Sequence, residues 1–109
     1  MVCKNVTTER EVTLSHPAAA WNCEAAGLQV AAGDRLALRV RGPVNKGATD
    51  VGGAVTGMTP SSGGCANRTT GQQVTFQHMV GATAASCVAA GLVVQEGEAV
   101  QMHVQGAAE

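Results

Sequence analysis

Four cysteines, three histidines and a handful of carboxylates are the side chains here whose chemistry might make a site. Cys3, Cys23, Cys65 and Cys87 are an even set in a chain of 109 residues. None stands in a Cys-x-x-Cys pair, so the usual zinc and thiol-redox spacings are missing. The expectation is two structural disulfides and an oxidising setting, secreted or cell-surface. Cys3–Cys23 with Cys65–Cys87 is one pairing, and two cross-copy pairings respect the same sequence symmetry. Loop-closure entropy favours the shorter loops.

His16 and His78 end two related apolar stretches and are the candidate metal ligands, but no Cys, Asp or Glu is held at ligand spacing beside either. The expectation is no metal and no cofactor. Nucleophile elbows, phosphate loops and His-Glu-x-x-His are absent from the sequence. The carboxylate pairs Glu9/Glu11 and Glu96/Glu98 flank turns, with no apolar pocket to split their acidities. These absences point away from an enzyme. Asn5-Val6-Thr7 and Asn67-Arg68-Thr69 match the glycosylation pattern. They match equally the turn chemistry in which Asn and Thr bond neighbouring backbone.

An internal repeat must position these residues. CKNVTTEREVTLSH (3–16) aligns with CANRTTGQQVTFQH (65–78), with seven identities in fourteen positions. CEAAGLQVAAGDRLALRVRG (23–42) aligns with CVAAGLVVQEGEAVQMHVQG (87–106), with nine identities in twenty. The fold expected is all-β: two tandem copies of a small antiparallel unit, Ig-like or sandwich-like, pseudo-two-fold and stapled by disulfides. The divisions are 1–42, a linker 43–62, and 63–109.

Within each unit, Cys-x-Asn-x-Thr-Thr reads as a strand entering a turn. Val12–His16 and Val74–His78 alternate apolar and polar as half-buried strands. Cys-x-Ala-Ala-Gly-Leu-x-Val reads as another strand, ending at turns with Gly33 and Gly97. The last strand sets Leu36, Leu38 and Val40 inward and Arg35, Ala37, Arg39 and Arg41 outward, and its copy sets Val100, Met102 and Val104 inward. Pro17 argues for a loop around Ala18–Ala20. The linker offers one further strand between Val51 and Met58, ending at Pro60. No equivalent precedes Cys3, so the first copy reads as one strand short. Either one linker strand serves both copies, or the first copy accepts a strand from a neighbouring chain.

Composition narrows the function. Seven basic against eight acidic residues give a net charge of −1, which argues against a general nucleic-acid binder. No apolar run is long enough for a membrane span, and no charged-then-apolar leader is present. The basic residues concentrate early: six basic and five acidic in the first 62 residues, one and three in the rest. Arg35, Arg39 and Arg41 form a basic stripe, with Glu96 and Glu98 as partners in a head-to-tail contact between identical subunits. Trp21, two residues before Cys23, is either a core filler over a disulfide or a ring on which a sugar stacks. The function expected is a non-enzymatic structural subunit of an extracellular assembly (filament, surface coat or virion decoration) that self-associates through sheet edges. The alternative is a secreted module binding a carbohydrate or another surface ligand.

Overall fold

A computed structural model of the chain describes residues 2–13, 20–44, 46–47, 51–76 and 84–109. These residues form nine strands: β1 (Val2–Asn5), β2 (Arg10–Thr13), β3 (Ala20–Trp21), β4 (Arg35–Pro43), β5 (Gly52–Val55), β6 (Met58–Asn67), β7 (Gln73–Thr75), β8 (Ala84–Ser86) and β9 (Ala99–Ala108). A six-stranded antiparallel sheet has the order β2-β1-β4-β9-β6-β7. A three-stranded sheet has the order β3-β5-β8, with β3 parallel and β8 antiparallel to β5. The chain is therefore all-β, and β5 touches strands from both ends of the sequence.

Alternation drives this layering. Leu36 and Leu38 of β4 and Val100, Met102 and Val104 of β9 are buried, while Arg35, Arg39, Arg41, His103 and Gln105 are exposed. The buried face joins Trp21, Val55 and Ala85 of the smaller sheet in one hydrophobic core. Two disulfides, Cys3–Cys23 and Cys65–Cys87, tie β1 and β6 to the turns that follow β3 and β8. They are consistent with an oxidising, extracellular environment. No helix among the described residues is long and apolar enough to cross a membrane.

Positions matched in the sequence make matched contacts. Cys3 pairs with Leu38 and Val12, and Cys65 with Met102 and Val74. Asn5 pairs with Leu36, and Asn67 with Val100. Gly33 N–H donates to the Ala108 carbonyl, and Gly97 N–H to the Val44 carbonyl. The turn at 33 thus closes on the end of β9, and the turn at 97 on the residue after β4.

Several expectations need correction. The Cys-x-Ala-Ala-Gly-Leu segments are not strands. Cys23–Gly27 and Cys87–Gly91 are turns, in which Ala26 N–H donates to the Asn22 carbonyl and Ala90 N–H to that of Ser86. The Asn22 Oδ1 and Ser86 Oγ side chains accept from the Ala25 and Ala89 amides, as at a helix start. Gly27 and Gly91 end the turns with φ of 103° and 106°. Leu28 and Leu92 still reach the core, which explains the misleading apolar spacing.

The linker strand is also different. β5 stops at Val55, and β6 starts at Met58 and runs through Pro60. Pro60 does not end the strand; the register shifts between Pro60 and Ser62, a bulge that accommodates the missing N–H. The divisions at 42/43 and 62/63 fall inside β4 and β6. Ala20 opens the short strand β3 rather than lying in a loop; Ala18 and Ala19 lie outside the described residues.

One substitution tests the turn after β1. Glu9 has φ of 62°, the left-handed region, and its sequence counterpart Gly71 has φ of 82°. A residue with a Cβ is disfavoured there by about 1 kcal/mol. Glu9→Gly is expected to stabilise the chain by up to that amount, read as a higher midpoint in chemical unfolding.

Candidate association edge

Each half is organised around one buried asparagine. Asn5 and Asn67 are fully buried, and each Oδ1 accepts two amides: from Thr7 and Thr8, and from Thr69 and Thr70. Asn5 Nδ2 donates to the Gln29 carbonyl at 3.1 Å, and Asn67 Nδ2 to the Val93 carbonyl at 3.1 Å. Threonine hydroxyls complete the junctions, Thr7 Oγ1 accepting from Arg35 N–H and Thr69 Oγ1 from Ala99 N–H. The Asn-x-Thr pattern is thus spent on backbone, and a glycan on either Nδ2 is incompatible with this packing.

Asn5 Nδ2 also donates to Asp34 Oδ2 at 2.8 Å, and Ala31 N–H donates to the same oxygen. The Asn5 amide first, then the Ala31 amide, hold the Asp34 carboxyl below the usual carboxylate range. A folded pKa below the unfolded one adds stability above the ordinary carboxylate pKa, lost as pH falls through the folded value. Asp34→Asn is expected to flatten the acid limb of a melting-temperature profile; an unchanged limb contradicts the assignment.

The other candidates are scattered. Among the described residues no group of three or more His, Cys, Asp or Glu is placed to hold a metal, and His16 and His78 lie outside those residues. Trp21 is 8 % exposed and its ring covers Gly53. It does not offer a stacking face to a sugar: the largest side chain of a small-residue core fills the space between the sheets. Glu98 Oε1 accepts from Gln95 N–H and Glu96 Oε1 from the distant Gly47 N–H, so both carboxylates already hold backbone amides of this chain. Arg35, Arg39 and Arg41 all point to solvent.

The backbone edge shows the main asymmetry. β9 is paired by β6 from Val100 to Ala108, where Met58–Gly63 covers Val104–Ala108. The sequence counterparts of Val104–Gly106 are Val40–Gly42 in β4. Within β4, β1 reaches only Leu36–Arg39, so among the described residues Val40–Pro43 has β9 on one side and no strand on the other. Adding a Cβ to Gly106 would strike Thr59 O and Pro60 Cα, whereas one added to Gly42 meets nothing within 4 Å. The opening is therefore not at β1, which is paired on both sides by β2 and β4. It is a ledge on β4.

Comparison with protein-family models, with curated proteins and with solved structures finds no match.

Proposed function

We propose that the chain is a non-enzymatic structural subunit of an extracellular assembly, and that subunits join by strand addition at the Val40–Pro43 ledge. Two copies of one antiparallel unit are related by a pseudo-two-fold axis through the Arg39–His103 pair, the position where a residue faces its own counterpart across β4 and β9. The observation that carries the reading is the ledge itself: among the described residues β6 pairs with Val104–Gly106, whereas no strand pairs with the matching side of Val40–Gly42. Unpaired edges recruit extended segments by backbone hydrogen bonding. The donor is an extended segment of a neighbouring chain with the character of Met58–Gly63: uncharged and small-sided, with a proline at the bulge. Because donor and acceptor are different surfaces, the contact is heterologous and propagates unless its rotation closes.

The test is light scattering on the native chain across micromolar concentrations, with and without a peptide of residues 57–64, GMTPSSGG. Particles that grow with concentration and are capped by the peptide support the reading. A chain that stays at 10.9 kDa throughout contradicts it.

A further inference from the structure

The solvent face of the six-stranded sheet carries a trough beside the Val40–Pro43 ledge. One depression of about 780 Å³ is lined by Ala66, Arg68, Gln73, Thr75, Gln101 and His103. A second, of about 310 Å³, lies beside it and shares Gln101 and His103, reaching Arg39 and Gln105. Small residues make the floor: Ala37 faces Gln105 across β4 and β9, and Gly64 faces His103, whose ring lies over it.

The charge on this face is mostly cationic, with Glu11 opposite Lys4 as its acidic exception. Arg35, Arg39 and Arg41 project from alternate positions of β4, and Lys4 lies opposite Ala37 in the same sheet. Arg68 reaches in from the turn after β6, its Nη1 donating to Gln101 Oε1 at 3.3 Å. Glu11, on the edge strand β2, is the only acidic residue in any described strand. The other described carboxylates lie in turns, loops and at Glu109, so a near-neutral chain presents a cationic face.

We infer that this trough binds a linear acidic polysaccharide, with the arginines taking carboxylates and the glutamines taking ring hydroxyls. Arg39 lines the smaller depression, and Arg41, outside both linings, follows it by two residues, about 6.6 Å along the strand; each offers a planar fork suited to a carboxylate. Gln73, Gln101 and Gln105 both donate and accept, as sugar hydroxyls require. Nucleic acid fits less well. Among the described residues Trp21 is buried and Phe76 is half-buried against the core, so neither ring is a free platform for base stacking, and no helix is present to enter a groove.

The experiment measures binding of the full chain to polygalacturonate by affinity electrophoresis at low salt, with neutral dextran and duplex DNA as parallel arms. Retention by polygalacturonate, and by neither comparator to the same degree, is expected. Arg39→Gln with Arg41→Gln weakens it by about tenfold or more and lowers the salt slope. Lys46→Gln, in an exposed turn away from the trough, leaves it within twofold. Arg39→Lys with Arg41→Lys keeps the charge but removes the forks, and gives an intermediate loss even if the glutamine pair does not fold. Absence of retention, retention unaffected by both arginine pairs, or tighter retention by duplex DNA overturns the inference.

Discussion

Replacing Cys65 and Cys87 together by alanine lowers the stability of the chain by about 3 kcal/mol in guanidinium unfolding without reductant. The bridge closes a sequence separation of 22 residues, and releasing it returns that loop's entropy to the unfolded chain. Cys3–Cys23 closes a separation of 20 residues, so its removal has nearly the same effect. The bridges matter more here than in an average domain because the chain has one Trp, one Phe and no Tyr to anchor its core. Each joins the large sheet to a turn beside the small one, so its loss also loosens the contact between layers. A loss below about 1 kcal/mol for either pair contradicts this account.

Gly106→Ala and Gly42→Ala occupy matched positions and are expected to differ sharply. At Gly106 the new Cβ strikes Thr59 O and lies 2.9 Å from Pro60 Cα, both backbone atoms of β6 that no side-chain rotation relieves. Overpacking of that kind costs about 1–3 kcal/mol, and more where backbone must move. At Gly42 nothing lies within 4 Å, so the same substitution is neutral or slightly stabilising in the monomer. Melting temperatures of the two variants decide the point. Equal losses would mean that Val40–Pro43 is covered like its counterpart.

Much of this architecture is legible in the residues. Alternation places Leu36, Leu38, Val100, Met102 and Val104 inward, and short loop closure favours Cys3–Cys23 with Cys65–Cys87, the bridges observed. The illegible parts have physical causes. Cys-x-Ala-Ala-Gly-Leu carries strand-like apolar spacing, yet side-chain caps at Asn22 and Ser86 and a positive φ at Gly27 and Gly91 fold it into a turn. Pro60 is a strand breaker by type, but a bulge beside β9 absorbs its missing donor. Trp21 is legible as a large ring, though its burial depends on how the two sheets stack. The ledge was half legible. The repeat sets Val40–Gly42 against Val104–Gly106, but that this backbone is open on one side shows only in the strand pairing of β4 among the described residues.

Sedimentation velocity of Gly42→Val against the unsubstituted chain, at one micromolar concentration, tests strand addition most directly. Valine there would meet an incoming strand as a side chain at Gly106 would meet Thr59 and Pro60. The account predicts large, polydisperse species for the unsubstituted chain and a single small species for Gly42→Val. Two monomers, or two equally assembled samples, would contradict it.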